Sequence, residues 1–149
     1  MLKALDELGF EDFTEVQHNT IPFVLDGEDL IVQSRTGTGK TAAFAIPILE
    51  KVKQDKHVQV LVLVPTRELA VQVHDDFKKL GKFTGLSSVV VYGGVGIEPQ
   101  ASKIKSGAQI VVGTPGRVLD LIGRHALDLS KLNFFVLDEA DIMLAMGFV

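Results

Sequence analysis

The 149-residue chain contains no cysteine. That excludes disulfide scaffolds, thiolate metal sites and cysteine nucleophiles. No apolar run approaches the roughly 18 residues that a membrane-spanning helix needs. The opening residues MLKALDELGF set charges among the apolar positions, unlike a secretory signal. Internal repeats, low-complexity tracts and linker-like Pro/Gly/Ser stretches are absent too. Basic residues are in the minority, 15 Lys and Arg against 19 Asp and Glu, for a net charge of −4. A general polyanion binder would be basic, so any contact with nucleic acid must come from backbone amides and a few placed arginines. His18, His57, His74 and His125 lack the spacing of metal ligands. What is present is 46% hydrophobic residues, enough for one packed core and too many for a disordered chain. A soluble intracellular protein, working in the cytoplasm, is the expectation.

Apolar runs of strand length alternate with longer helix-like segments. The expected strands are Leu30–Gln33, Val58–Val64, Ser88–Tyr92, Gln109–Val112 and Phe134–Leu137. They are rich in Val and Ile with little period-two alternation, the pattern of parallel strands buried on both faces. The expected helices are Val16–Leu25, Lys40–Lys53, Arg67–Leu80, Pro99–Lys105 and Pro115–Ile122. Pro47 should bend or interrupt the second of these. Thr14 and Gln17 have the spacing of a capping box, Thr66 can cap the helix that follows it, and Thr114-Pro115 reads as an N-cap with a first-turn proline. Strand, helix, strand, helix predicts an α/β fold with a mostly parallel central sheet flanked by helices. Ligands of such sheets bind beyond the carboxyl ends of the strands, so the residues just after each strand are the places to look.

Ser34, Arg35, Thr36, Gly37, Thr38, Gly39, Lys40 and Thr41 spell SRTGTGKT between an expected strand and an expected helix. The common phosphate-loop pattern has glycine where Ser34 stands, and serine is small enough for the turn. Glycines let backbone N–H groups approach phosphates, and the helix N-terminus adds partial positive charge. Lys40 would reach the β- and γ-phosphates, and the Thr41 hydroxyl would hold Mg²⁺. The competing reading is a Gly/Thr-rich turn before an amphipathic helix. The strand–turn–helix setting favours ATP.

Phe134–Leu137 ends in Asp138-Glu139-Ala140-Asp141. An apolar strand ending in Asp supplies the second half of a phosphate-loop site. Asp138 would hold Mg²⁺ through water, and Glu139 would orient or deprotonate the attacking water. An acidic cluster can also simply favour a helix N-terminus.

With these residues in place the chain resembles the DEAD-box RNA helicases, whose name is spelled by Asp138–Asp141, along nearly its whole length. The resemblance implies the N-terminal RecA-like domain of that family, a P-loop NTPase fold, incomplete at its C-terminal end over residues 1–149, with the second RecA-like domain absent. Gly9–Gln17 is similar to the family's adenine-recognition motif, with Phe13 in place of the usual Pro and Val16 in place of Ile. It implies that Gln17 bonds the adenine edge with Phe10 nearby. A carboxamide suits adenine because it donates and accepts at once. Pro65-Thr66-Arg67-Glu68-Leu69-Ala70, Gly93-Gly94 and Thr114-Pro115-Gly116-Arg117 match three motifs that imply contacts to the sugar–phosphate backbone of single-stranded or duplex RNA. Helix starts, arginines and glycines are the right chemistry for that, and such contacts carry no base information. The family continues with a Ser-Ala-Thr motif and a second domain with arginine fingers.

A phosphate-loop kinase or small-molecule ATPase would account for Ser34–Thr41 and Asp138 but gives Pro65–Leu69 and Thr114–Arg117 no role. A nucleotide-responsive RNA-binding module and a DNA helicase also compete with the RNA helicase reading. RNA and DNA are told apart through the 2′-OH.

Overall fold

The structure, a computed structural model, describes residues 2–9, 12–33 and 39–147. Phe10 and positions 34–38 of the phosphate-loop motif lie outside the described residues. The elements in chain order are α1 (Leu2–Glu7), α2 (Glu15–Leu25), α3 (Lys40–Lys51), β1 (Val60–Leu63), α4 (Arg67–Leu80), β2 (Ser88–Val91), α5 (Glu98–Lys105), β3 (Ile110–Gly113), α6 (Pro115–Gly123), β4 (Phe134–Leu137) and α7 (Ala140–Ala145). Among the described residues no helix is long and apolar enough to cross a membrane.

The chain forms two compact units, Met1–Val52 with Asp76–Gly85, and Lys53–Asp75 with Leu86–Val149. Helix α4 belongs to both, leaving the second unit after Asp75. The first unit is helical. The Thr14 hydroxyl accepts from Gln17 N at 3.4 Å and Gln17 Oε1 accepts from Thr14 N at 2.9 Å, so the expected capping box starts α2. Helix α3 buries Ala42, Ala43 and Ala45–Leu49, and the Phe44 ring meets Phe77 with centroids 6.0 Å apart. Pro47 does not interrupt α3. The helix runs through it to Lys51, with Pro47 buried among the aliphatic residues that define its packed face. Burial of that face outweighs the missing N–H of proline.

Leu30–Gln33, expected as a strand, is described and is not one; Ile31 is 98% exposed. An apolar run marks a segment that could be buried, but a strand exists only with a neighbour to pair with. The described residues of the first unit include no strand.

The second unit contains the sheet, four parallel strands in the order β2-β3-β1-β4. The two central strands are apolar throughout and buried almost residue for residue. The edge strands alternate instead. Phe135, read as core by its apolar neighbours, points outward from edge strand β4 and is 54% exposed. One face of the sheet packs through Val58, Leu61, Val89, Val91 and Val111 against Ile104 of α5 and Val118 and Leu121 of α6. The amino end of the sheet is closed by two buried glutamines. Gln59 Nε2 donates to Lys53 O at 2.8 Å, Gln109 Oε1 accepts from Ser87 N at 2.7 Å, and Gln109 Nε2 donates to Asp55 O.

Register decides the carboxyl end. Leu63 pairs with Gly113 on one side and Leu137 on the other, and Val91 pairs with Gly113. All four strands therefore end on one row. At about 4.8 Å between neighbours, the four ends span about 14 Å.

Gly113 sits where α6 closes on that row. A Cβ there would lie 2.5 Å from Val91 Cγ2, 2.8 Å from Val118 Cγ2 and 3.0 Å from Val91 O. Gly113→Ala should destabilise the protein by about 1–3 kcal/mol through overpacking. Denaturant unfolding measures this, and an unchanged midpoint would mean that α6 does not pack this closely.

Candidate functional site

Four segments leave the common row of strand ends in the second unit: 64–67 after β1, 92–95 after β2, 114–117 after β3 and 138–141 after β4. Three of the motifs singled out for nucleic-acid contact and the acidic tetrad thus stand side by side, although up to about 70 residues separate them in sequence.

Thr66 starts α4 by accepting from Leu69 N at 3.2 Å, as a capping threonine does. Pro65 is buried, while Thr66 and Arg67 are exposed. The Arg67 guanidinium lies over the Tyr92 ring, 4.6 Å from its centroid, which holds the cation at the mouth of the row. Thr114 has the extended backbone of an N-cap but its side chain makes no capping bond. Pro115 follows as the first helical residue, as expected. Gly93 and Gly94 are exposed, and Gly94 has φ +82°. Unlike Gly113, a Cβ on Gly93, Gly94 or Gly116 would meet nothing within 4 Å. Packing within the protein does not demand glycine at Gly93 or Gly116, and Gly116 in a helix costs about 1 kcal/mol relative to Ala. Bare backbone beside open space suits close approach by a ligand from outside.

Arg117 is half-buried and directed inward. Its Nη1 donates to Gln100 Oε1 at 2.9 Å and its Nη2 to Val95 O at 2.9 Å. Gln100 is buried and its Nε2 donates to Tyr92 O at 3.1 Å. Sequence reading did not single out Gln100 or Tyr92. Gln100 lies six residues after the glycine doublet in a polar helix, and no periodicity or motif spacing marks it.

At the end of β4, Asp138 is buried at 5% exposure, and its Oδ1 accepts from Glu139 N at 3.0 Å. Its own N–H donates to Leu63 O, which extends the β1–β4 ladder one residue beyond the strand. Glu139 is half-buried and caps α7 with φ +56° and ψ +45°. That left-handed conformation is unfavourable for a residue with a Cβ and recurs at functional sites.

In the first unit the described part of the phosphate-loop motif is Gly39, Lys40 and Thr41. Gly39 caps α3 in the left-handed conformation, φ +81°, and Lys40 and Thr41 are its first two residues, both half-buried. Gln17 Nε2 donates to Gly39 O at 3.1 Å. The carboxamide therefore closes the α2 capping box with its oxygen and steadies the start of α3 with its nitrogen. A Cβ on Gly39 would collide with that nitrogen.

A parallel sheet whose strand ends present threonines, arginines, bare glycines and a buried aspartate belongs to the open α/β class, whose ligands bind beyond the carboxyl ends of the strands. The comparisons name the class more narrowly. The DEAD/DEAH box helicase family model matches residues 14–149, and the chain belongs to that family. It is 50% identical over its full length to the DEAD-box ATP-dependent RNA helicase CshA of Streptococcus pneumoniae, of which it covers 29%. It is also 50% identical to the ATP-dependent RNA helicase DeaD of Haemophilus influenzae, covering 25% of it, and to the RNA helicase CrhR of Synechocystis, covering 30%. The chain thus spans less than a third of the length of these relatives. The crystal structure of a DEAD box protein from Methanococcus jannaschii superimposes with a TM-score of 0.94 at 48% identity, over 99% of this chain and 41% of that one. A hypothetical ATP-dependent RNA helicase from Sulfolobus tokodaii gives 0.91 at 44% identity, over 99% and 43%.

The backbone at Glu139 yields a direct test. Glu139→Ala and Glu139→Gly both remove the carboxylate, but only glycine adopts φ +56° without steric cost. The glycine variant should be the more stable of the two by about 0.5–1 kcal/mol, after allowing for its greater chain entropy when unfolded. Comparison of thermal midpoints decides it, and a more stable alanine variant would contradict the left-handed geometry.

Proposed function

We propose that this chain is the N-terminal RecA-like domain of an ATP-dependent RNA helicase, in which ATP hydrolysis is coupled to binding and unwinding of RNA. The observation that carries the reading is the row of strand ends. It sets Thr66-Arg67, Gly93-Gly94 and Thr114–Arg117 beside Asp138 in one unit. The RNA backbone would be held by helix-start amides after Thr66 and Thr114, by the bare glycines, and by Arg67. Pro65 and Pro115 shape the two helix entries. A second RecA-like domain, which the greater length of the relatives leaves room for, would complete both the ATP and the RNA site. An intracellular, cytoplasmic place of action belongs to the same proposal.

On the ATP side, roles are assigned residue by residue from the motifs. Ser34, Arg35, Thr36, Gly37, Thr38 and Gly39 would supply the phosphate cradle, Lys40 the charge on the β- and γ-phosphates, and Gln17 with Phe10 the adenine contact. Gln17 reaches Gly39 O through one N–H, and a carboxamide has a second N–H and a second oxygen lone pair. The Thr41 hydroxyl and the Asp138 carboxylate, each assigned to Mg²⁺ from its own motif, are both oxygen donors, which suit Mg²⁺ rather than a softer metal. Bound with ATP, the ion would neutralise charge on the phosphate oxygens. Hydrolysis would proceed by in-line attack of water on the γ-phosphorus, breaking its bond to the β–γ bridging oxygen. Glu139 would orient the water and take its proton.

The test is ATP turnover by the intact protein, with and without single-stranded RNA. Turnover should rise on adding RNA, and Lys40→Ala should weaken nucleotide binding at least tenfold, a loss of about 1.4 kcal/mol or more, while the melting curve stays within a few degrees of wild type. RNA-independent turnover would favour a small-molecule ATPase, and stimulation by DNA equal to that by RNA would favour a DNA helicase. The 149-residue chain by itself should hydrolyse ATP far more slowly than the intact protein. Equal rates would remove the need for a second domain.

A further inference from the structure

We propose that Gln100 is a positioning residue for RNA: it fixes the Gly93-Gly94 turn in the shape that the RNA backbone requires, acting together with Arg117. The inference rests on the reading of the strand-end row as the RNA site and assigns it a part that no motif contains.

The glycine pair is held from both sides. On its amino side, Tyr92 O accepts from Gln100 Nε2 at 3.1 Å. On its carboxyl side, Val95 O accepts from Arg117 Nη2 at 2.9 Å. The two clamps are joined, because Arg117 Nη1 donates to Gln100 Oε1 at 2.9 Å. The Tyr92 ring carries Arg67 on its face, so the same assembly extends to the segment after β1. Three of the four segments that leave the row are thereby tied together through side chains, with a buried carboxamide at the centre.

The chemistry is specific. A carboxamide donates to a carbonyl from its nitrogen and accepts from a guanidinium at its oxygen at the same moment while remaining neutral. Arg117 needs a planar fork to reach two acceptors in different directions, which a lysine ammonium cannot reproduce. Two glycines with open space beside them have no side chains of their own to define their conformation. Without the clamps the turn would sample many shapes, and RNA binding would have to select one of them. Arg117 accordingly acts on RNA through the turn it shapes, in addition to whatever its remaining N–H groups contact.

A purely structural glutamine would lower stability and affect every activity alike. A positioning residue changes the RNA dependence selectively. In the intact protein, Gln100→Glu retains size and the bond from Arg117 but sets a carboxylate against Tyr92 O. The concentration of single-stranded RNA giving half-maximal ATP turnover should rise about tenfold, with kcat at saturating RNA and the KM for ATP within about twofold of wild type. Gln100→Met removes both hydrogen bonds without adding charge and should shift the RNA dependence in the same direction. Arg117→Lys added to Gln100→Met should raise it by less than about threefold further, since the two residues act as one assembly. An unchanged RNA dependence in both Gln100 variants, or equal losses in RNA and ATP parameters that track a lowered Tm, would overturn the positioning role alone. Wild-type protein that shows no RNA stimulation would overturn the functional reading and this proposal with it.

Discussion

The structure depends on the register of four parallel strands. Because Leu63, Gly113, Val91 and Leu137 are paired in one row, the chain leaves the sheet four times at the same level. A shift of one residue in either edge strand would turn its buried side chains to the wrong face, and in any strand it would displace the motif along the strand axis. The alternating burial of β2 and β4 and the hydrogen bonds of the glutamines that close the amino end hold that register. Gly113 allows α6 to start directly at the row's end, which sets Thr114–Arg117 beside its neighbours. Where the strands stop decides which motifs stand side by side.

Much of this was legible in the sequence. The four sheet strands fall within two residues of the apolar runs, α4 matches its periodic segment end to end, and the Thr14–Gln17 capping box forms as its spacing implies. Position along a strand's apolar run does not reveal its place in the sheet, however. Phe135 has the same kind of neighbours as Val111, yet one is on an edge and the other in the centre. Leu30–Gln33 shows the same limit, since a β-pattern is local whereas its partner is not. Pro47 shows the opposite limit, since the interruption it can cause does not occur. A local penalty was weighed without the burial of the whole helix face. Gln100 was not legible because what marks it is two hydrogen bonds to segments that only the fold brings near it.

The glycines and Glu139 show how the site differs from the core. Gly113 is required by what packs against it, whereas a Cβ on Gly93 or Gly116 would meet nothing within 4 Å, which leaves bare backbone open to close approach from outside. Glu139 keeps a left-handed backbone that a side chain disfavours. Stability alone would place glycine there. The carboxylate at this position is the one proposed above to orient the attacking water.

The path proposed for RNA is the row of strand ends. Backbone amide hydrogen exchange of the intact protein, with and without single-stranded RNA in the presence of a non-hydrolysable ATP analogue, tests it most directly. Within this chain new RNA-dependent protection is expected at 65–69, 93–95 and 114–118 together. The opposite end of the sheet, at 53–59 and 107–109, should be unchanged. Protection at the glutamine-closed end, or at one of the three segments without the others, would contradict it.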